Sequence, residues 1–340
     1  MNRVHLPSLP WDEIKSPTGK FHSFCQNISL ALGGLRNTGT WGGGHPFDLQ
    51  VRRIPPGAAV CPYHLHLGQR ELFVVRSGSG TVRTSEGRTE VKTGDVFFHP
   101  PGAAHQLINS GAVDLEVLIV ADNPPVDGGY YPDSDKWYLR PPVKLFRLTE
   151  VGYFDGEDTP VAGAAPYQLA PAPAAPPIAP FAQRKLHLDD VAWETWESPN
   201  KKFRSSYQEI SIALGAKRNT LTGLGGHPFD LELNRLAAGE CGYPFHSHAA
   251  QWELFFILEG HGIVRVGTES HVVTAGDVVL HPPGEAHQIT ASREADLVFL
   301  IITDNPPVDL WHYPDSNKWG HSTTRDFFRM NAADYWDGEE

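Results

Sequence analysis

The chain has 340 residues, a formal net charge of −12 and a pI of about 5.8. That length suffices for two domains that each bury a core, and the acidic balance argues against nucleic acid or an anionic membrane as a partner. No apolar run approaches the roughly 20 residues of a membrane-spanning helix, and the first residues lack the apolar centre of a signal peptide. We therefore expect a cytoplasmic protein whose partner is a small-molecule substrate or ligand, with homo-oligomer formation left open.

The sequence is an internal repeat. Adding 182 to a position in the first half reaches its counterpart in the second, as from His64 to His246. We assign residues 1–158 to one domain and residues 185–340 to another. Residues 159–184, which are dense in Pro and Ala, are expected to form a semi-rigid linker.

The cysteines argue against a disulfide framework. Cys25, Cys61 and Cys241 lie far apart, and none falls on another under the repeat offset. An odd, unpaired set in a cytosolic chain is typical of free thiols rather than of a disulfide scaffold or a zinc ribbon. Their spacing from the histidine pairs predicts that Cys61 and Cys241 face away from those histidines.

In chain order, each half consists of short apolar runs between turn signals. The first half contains HPFDLQVRRI, ELFVVRSGSGTVRT, RTEVKTGDVFFHPPG and DLEVLIVADNPP, and the second half matches them. Such runs, punctuated by Gly and Pro without a βαβ rhythm, predict an all-β fold in which each half is an antiparallel barrel. Helix is expected to be minor and terminal, as in DFFRMNAADYW at 326–336.

The NPPVD and YPDS segments that follow the last barrel strand predict an ordered arm that crosses a barrel or packs on its twin.

Four residues of the first half form a candidate metal site. His64 and His66 are two positions apart, which on a strand places both rings on one face. Glu71 has the opposite parity, so the chain must turn or bulge before it, and His105 arrives from a separate hairpin after a Pro-Pro-Gly corner.

The second half repeats this candidate set without loss. Its members are His246, His248, Glu253 and His287. Imidazole and carboxylate together suit a divalent transition metal, with Fe, Mn, Ni, Co and Zn all open, and we predict one ion per domain. The alternative is a set of histidines buried in hydrogen bonds, but four converging ionisable groups without a cation would each carry a desolvation cost of several kcal/mol.

These residues carry a resemblance to a known family. The first half reads Gly57…His64-x-His66-x4-Glu71-x6-Gly78 and then Gly94-x5-Pro100-x-Gly102-x2-His105-x3-Asn109, and the second half repeats the pattern. This resembles the two motifs of the cupin superfamily, so the whole chain resembles a bicupin. The resemblance implies two tandem jelly-roll (double-stranded β-helix) domains related by a pseudo-two-fold repeat, with the His and Glu residues as metal ligands. The superfamily hosts many reactions on one barrel, so it does not specify the chemistry.

Three functions stay open. The first is a metal-dependent oxygenase, such as a dioxygenase, or a decarboxylase of a small carboxylate or phenolic compound. Oxalate decarboxylases carry an arginine shortly before the first histidine, where this chain has Cys61-Pro-Tyr63 and Cys241-Gly-Tyr243, which disfavours oxalate. The second is a sugar or sugar-phosphate isomerase, which would need a base. The third is a non-catalytic metal or small-molecule binding protein.

Other polar residues that recur in both halves are expected to have structural roles. For each, a functional role is the alternative: a turn acid or base for His45 and His227, a wall of the site for His99 and His281, support of the carboxylate for Gln69 and Gln251, and a substrate grip for Arg53 and Arg235. The arginines share strand parity with apolar neighbours that we expect to face inward.

The neighbours of the candidate ligands are not duplicated. Asn109 corresponds to Ala291, Arg52 to Asn234, and Gln50 to Glu232. The sequence therefore predicts two similar metal sites with unequal surroundings, and it leaves open whether one half or both halves turn over.

Overall fold

The computed structural model describes residues 1–36, 38–140, 143–158, 170, 177–218, 220 and 222–339. Most of the predicted linker, namely 159–169 and 171–176, lies outside the described residues. Among the helices that the structure describes, none is long and apolar enough to cross a membrane.

Each half is built from strands. The strands before the linker are β1 (Asn2–His5), β2 (Asp12–Lys15), β3 (His22–Asn27), β4 (Phe47–Ile54), β5 (Leu65–His66), β6 (Glu71–Ser77), β7 (Ser79–Thr84), β8 (Gly87–Lys92), β9 (Asp95–His99), β10 (His105–Ile108), β11 (Leu115–Asp122), β12 (Asp127–Tyr131), β13 (Lys136–Arg140) and β14 (Lys144–Phe146). The strands after it are β15 (Lys185–His187), β16 (Glu194–Glu197), β17 (Arg204–Glu209), β18 (Phe229–Leu236), β19 (Ser247–His248), β20 (Glu253–Glu259), β21 (His261–Val266), β22 (Glu269–Thr274), β23 (Asp277–His281), β24 (His287–Ala291), β25 (Leu297–Asp304), β26 (Leu310–Tyr313), β27 (Lys318–His321) and β28 (Phe327–Phe328).

The helices of the described chain are single turns. The α-helical turns are α1 (Ile28–Ala31) and α2 (Ile210–Ala213), and the 3₁₀ turns are Leu6–Ser8, Thr40–Gly42, Phe181–Gln183, Leu188–Asp190, Thr222–Leu224 and Pro314–Ser316. The prediction of an all-β fold is confirmed. The expected helix at 326–336 was wrong, because Phe327–Phe328 instead pairs with β27 as an edge strand.

The two halves have the same sheet topology. The first half contains a seven-stranded sheet in the order β15-β9-β6-β11-β4-β3-β2, a three-stranded sheet β10-β7-β8 and a four-stranded sheet β14-β13-β12-β5. The second half repeats these orders with the equivalent strands. This architecture is the predicted tandem jelly roll.

The halves exchange their first strands. β1 pairs antiparallel with β23 of the second half, and β15 pairs antiparallel with β9 of the first half. Each large sheet therefore ends on a strand that belongs, by sequence position, to the other repeat. The domain boundaries drawn from the repeat stay a prediction, since the exchanged strands cross them.

The large sheets bury both faces. In β6, Phe73 and Val75 point into the core of the first half, whereas Leu72 and Val74 join a core that also contains Phe256 and other residues of the second half. Burial on both faces explains why these strands are continuous apolar runs instead of alternating ones.

This second core corrects one predicted orientation. Leu49 and Val51 pack in the core between the halves, not inside their barrel as expected. Arg53, which shares their parity, stacks on Trp11 at 4.4 Å and lies 3.7 Å from Asp114. The equivalent Arg235 pairs with Asp296 on the surface at 2.7 Å. Neither arginine is available to grip a substrate at the candidate metal site.

The recurrent turn histidines also lie between the halves. The ring of His227 stacks on Phe98 with centroids 4.2 Å apart, and the ring of His45 lies 5.3 Å from that of Trp252. Their backbone carbonyls accept hydrogen bonds from Asn305 and Asn123 respectively. These contacts support a structural role in joining the halves.

The shared core is expected to dominate the stability of the molecule. Phe256 is 1% exposed within it, so Phe256→Ala should lower the free energy of unfolding by about 3 to 5 kcal/mol through lost burial and a residual cavity. Phe328→Ala is the control: that ring is 38% exposed, and its loss should cost within about 0.5 kcal/mol. Urea denaturation measures both, and equal costs would contradict this description of the core.

Candidate metal centre

Backbone pairing holds histidines from the two motifs opposite each other. The amide of His64 donates to the carbonyl of His105 at 3.1 Å, and the amide of His105 donates back at 2.8 Å. His246 and His287 make the same reciprocal pair at 3.1 and 2.8 Å. Two separate hairpins therefore place their imidazoles side by side, with ring centroids 4.6 and 4.7 Å apart.

The outer ring nitrogens face fixed acceptors. In the first half, Nδ1 of His64 lies 2.9 Å from the carbonyl of Pro62, and Nδ1 of His105 lies 3.0 Å from that of Ala103. In the second half, Nδ1 of His246 and of His287 face the carbonyls of Pro244 and Glu285, both at 3.0 Å. Because a carbonyl accepts and cannot donate, each Nδ1 carries the proton and each Nε2 offers a lone pair.

These Nε2 lone pairs converge on a carboxylate. Oε2 of Glu71 lies 2.9 Å from Nε2 of His105 and 3.5 Å from Nε2 of His66, an atom that is buried without a hydrogen-bond partner among the described residues. Acceptor atoms packed this closely repel each other unless a proton or a metal ion lies between them. The donor chemistry therefore fits a divalent transition metal.

The second half has the same convergence. Oε2 of Glu253 lies 2.9 Å from Nε2 of His287, 3.5 Å from that of His248 and 3.9 Å from that of His246. The Nε2 atoms of His246 and His248 lie 3.1 Å from one another. The predicted ligands of each half therefore lie close together. His64, His66 and Glu71 form one group that could hold an ion, and His246, Glu253 and His287 form another. His105 and His248 lie beside these groups, with Nε2 2.9 and 3.5 Å from the respective glutamate oxygens.

Without an ion, burial and the neighbouring carboxylates decide which histidine of the first group is protonated. Burial lowers the pKa of His64 to about 3, with the neighbouring His105 acting in the same direction. Burial also opposes protonation of His66, but the carboxylates of Glu71 and Asp127 outweigh it and raise its pKa to about 9. One positive charge is therefore favoured beside the Glu71 carboxylate.

Each centre is braced by an aspartate that the sequence interpretation assigned to a structural arm. Oδ2 of Asp127 lies 2.9 Å from Nδ1 of His66, and its Oδ1 accepts from the amide of Gly68 at 2.9 Å. Asp309 does the same for His248 at 2.7 Å. One carboxylate thus orients a candidate ligand and closes the turn that leads to the glutamate. The sequence feature that could have revealed this role is the aspartate at the end of both NPPVD segments.

This bracing predicts an effect on metal affinity. Asp127→Asn replaces the carboxylate that faces Nδ1 of His66 by a neutral amide. The loss of a carboxylate that orients a metal-binding histidine typically weakens metal binding about 10- to 100-fold. The control is Asp133→Asn, since that exposed carboxylate pairs with Arg83 and not with a candidate ligand. Competition with a metal-sensitive dye would measure both affinities, and an unchanged affinity in Asp127→Asn would contradict the assigned role.

The arms that carry these aspartates cover their own barrels. Gly129 of β12 pairs with His66 of β5, and His312 of β26 pairs with Ser247 of β19. The arms therefore lie across the strands that supply the histidine pairs, which is the first of the two predicted placements.

His99 and His281 form a wall behind the ligands. Their rings stack on His105 and His287 at 3.9 and 4.0 Å, with interplanar angles of 6° and 12°. Nδ1 of His281 donates to Glu285 at 2.7 Å, and burial lowers the pKa of His281 to about 4. These contacts favour the alternative, in which the rings form part of the site and hold the ligand rings in place.

The remaining candidates do not face the converging atoms. The side-chain amides of Gln69 and Gln251 donate to the backbone carbonyls of Asp122 and Asp304, each at 2.7 Å. Sγ of Cys61 lies 3.6 Å from Nδ1 of His64, the nitrogen on the far side of that ring.

The second centre opens into a cavity of about 460 Å³. Its lining includes His246, His248 and Glu253, together with Glu232 and Tyr243. Burial raises the pKa of Glu232 to about 7, with the nearby Glu209 acting in the same direction. The hydroxyl of Tyr243 is buried without a hydrogen-bond partner among the described residues. In the first half these two positions are Gln50 and Cys61.

A reciprocal exchange of large and small residues gives the two centres different covers. In the first half Gly129 pairs with Tyr138, whereas in the second half Trp311 pairs with Gly320 at the equivalent positions. A side chain at Gly129 would collide with the Tyr138 ring, and one at Gly320 would collide with Trp311. The hydroxyl of Tyr138 donates to Asp127 at 2.9 Å and so locks the first cover, whereas Trp311 lines the cavity of the second.

Fold and site define a tandem jelly-roll protein with one His₃Glu group in each half. A family model for the cupin domain matches residues 50–121 and 233–303, which include the histidine pairs and the glutamates. Together with the fold, these matches show that the chain belongs to the cupin superfamily and is a bicupin.

Known proteins are similar over parts of the chain. An oxalate-binding protein of Thermotoga maritima is 35% identical over 68 residues, which are 20% of this chain and 55% of that protein. Auxin-binding protein 1 of Arabidopsis thaliana is 30% identical over 117 residues, which are 32% of this chain and 56% of that protein. The chain therefore spans about half the length of these curated relatives. The structure of oxalate decarboxylase from Bacillus subtilis superposes with a TM-score of 0.51 at 14% identity, covering 90% of this chain and 76% of that one.

Proposed function

We propose that this bicupin is a metal-dependent enzyme that acts on a small carboxylate or phenolic compound in its second half, as an oxygenase or a decarboxylase. The observation that carries the proposal is the cavity of about 460 Å³ whose lining includes His246, His248 and Glu253, three of the four candidate ligands of the second half. That volume lies within the range of small-molecule sites. The ligands would be His246, His248, Glu253 and His287.

The first-half ligands of the proposal are His64, His66, Glu71 and His105. A four-ligand set leaves open coordination positions on an octahedral ion, and the metal would supply Lewis acidity or dioxygen binding there. The protein's own groups do the positioning. Asp309 and the carbonyls of Pro244 and Glu285 hold the imidazoles with their Nε2 atoms directed inward.

The similar proteins support this class of chemistry without specifying the reaction. One relative is an oxalate-binding protein, and one similar structure is an oxalate decarboxylase. The missing arginine before the histidine pair disfavours oxalate itself, since Cys241-Gly-Tyr243 stands there in the second half. A small carboxylate of different shape agrees with both observations.

The test combines elemental analysis of protein purified without added metal with a panel of small carboxylates and phenolic acids. Iron with dioxygen uptake would identify an oxygenase, and manganese with carbon dioxide release would identify a decarboxylase. Absence of bound metal would overturn the proposal.

A second candidate function is non-catalytic binding of a small molecule. The names of the two curated relatives described above favour it. It predicts a coordinatively saturated ion. In Co²⁺-loaded protein the visible absorption would then stay unchanged when a panel compound is added, and no compound would be consumed. An isomerase has less support, because no base other than the wall histidines was apparent from the sequence.

A further inference from the structure

One wall of the second cavity is aromatic. Trp311, Tyr313 and Phe327 line it, and the Phe327 ring lies 6.3 Å from Trp311 and 6.1 Å from Tyr313 between centroids. The first-half counterparts of Trp311 and Phe327 are Gly129 and Leu145. Aromatic side chains that line a cavity favour a planar apolar ligand, which can stack on them.

The outer end of that wall is cationic. The guanidinium of Arg325 lies 5.7 Å from the Trp311 ring and lines the cavity from an exposed position. The ammonium of Lys318 lies 4.5 Å from the Tyr313 ring. Within the part of the chain that the structure describes, no carboxylate pairs with Arg325. A guanidinium without a partner at a cavity mouth matches a carboxylate of the ligand.

The inner end is acidic and offers hydrogen bonds. Glu232 accepts from the amide of Asn234 at 3.1 Å through one oxygen, and the hydroxyl of Tyr243 has no partner among the described residues. Asp230 lines the same cavity. These groups repel a second carboxylate but can bond a neutral hydroxyl, and the buried Tyr243 hydroxyl is stabilised when a ligand satisfies it.

From this polarity we infer that the second cavity binds a planar phenolic carboxylate, with its carboxylate at Arg325, its ring against Trp311 and Phe327, and its hydroxyl toward Glu232 and Tyr243. The inference rests on the proposed function and narrows its substrate class. The first-half position equivalent to Arg325 is Val143, which carries no charge, so the proposed carboxylate contact is specific to the second half.

The test is calorimetric binding to the Zn²⁺-loaded 340-residue chain with four probes: 4-hydroxybenzoate, phenol, benzoate and oxalate. We expect 4-hydroxybenzoate to bind about 10-fold or more tightly than phenol, because a charge-assisted contact is added. Arg325→Gln should remove that advantage and leave phenol affinity unchanged. The matched control is Arg329→Gln, an exposed arginine of the same tail that is outside the cavity lining, which should retain it.

A second pair of variants tests the aromatic wall. Phe327→Ala should weaken both phenol and 4-hydroxybenzoate, whereas Leu145→Ala, its equivalent in the first half, should weaken neither. Retained zinc content and circular dichroism would show that each variant is folded.

The outcomes separate this inference from the proposed function. Equal affinity of Arg325→Gln and the natural chain for 4-hydroxybenzoate, or tighter binding of oxalate than of 4-hydroxybenzoate, would overturn the phenolic carboxylate and leave a metal-dependent carboxylate enzyme standing. Failure of the natural chain to take up zinc would overturn both.

Discussion

Replacing His246 and His248 by alanine is expected to remove one metal ion per chain and to reduce turnover by about 10³-fold or more, because the loss of a catalytic ion costs several kcal/mol of transition-state stabilisation. The paired change His64→Ala/His66→Ala should remove the other ion and reduce turnover far less. The two centres have the same candidate ligands, but the cavity of about 460 Å³ opens onto the second.

Metal content and turnover should be measured on the same preparations with a compound that the panel has shown to be consumed. The two double variants act as controls for each other, since each removes an equivalent pair. If both lose turnover equally, the assignment of chemistry to one half is wrong. If neither loses metal, the ligand assignment itself is wrong.

Chelation of the metal should destabilise the folded chain. An ion that binds the native state alone contributes about 2.7 kcal/mol at 100 times its dissociation constant, and two such sites would double that value if they are independent. The effect is expected to be large here because the buried Nε2 atoms of each group would otherwise face a carboxylate oxygen at 2.9 to 3.9 Å. Thermal unfolding in metal-buffered and chelator-containing solutions would measure the difference.

The control for chelation is a chain that lacks both histidine pairs, whose melting temperature should not respond to chelator. Restored metal should restore the stability of the natural chain. Equal melting temperatures of the natural chain with and without chelator would contradict metal binding at these residues.

The candidate ligands could be found in the sequence because they obey local rules. Spacing by two places His64 and His66 on one face of a strand, and the internal repeat repeats that spacing at His246 and His248. The opposite parity of Glu71 required a turn, and the structure has one, closed by hydrogen bonds from the amides of Gly68 and Gln69 to a single carboxylate oxygen.

The orientation of β4 could not be found in the same way. Its alternating apolar residues show that one face is buried, but they do not distinguish the interior of a barrel from an interface with another sheet. Leu49 and Val51 pack between the halves, so the inward positions are the polar ones, and these include Gln50 and its counterpart Glu232. The sequence therefore offered Arg53 as the alternative substrate grip and gave no indication of Arg325.

The exchanged edge strands and the cover of each centre are also products of long-range contacts. Nothing in NRVH predicts that it pairs with a strand more than 270 positions later. The first half has Gly129 and Tyr138 where the second half has Trp311 and Gly320. The reason for this exchange depends on the pairing of β12 with β13 and of β26 with β27. In each pair the glycine lies opposite an aromatic ring that occupies the space of the missing side chain.

The most direct test of two duplicated centres with unequal surroundings is anomalous diffraction from crystals of the zinc-loaded chain soaked in 4-hydroxybenzoate. We predict two zinc peaks per chain, each about 2.0 to 2.2 Å from three Nε2 atoms and one glutamate oxygen, with ligand density beside the second peak alone. Zinc bound elsewhere, or ligand density at the first centre in place of the second, would contradict this account.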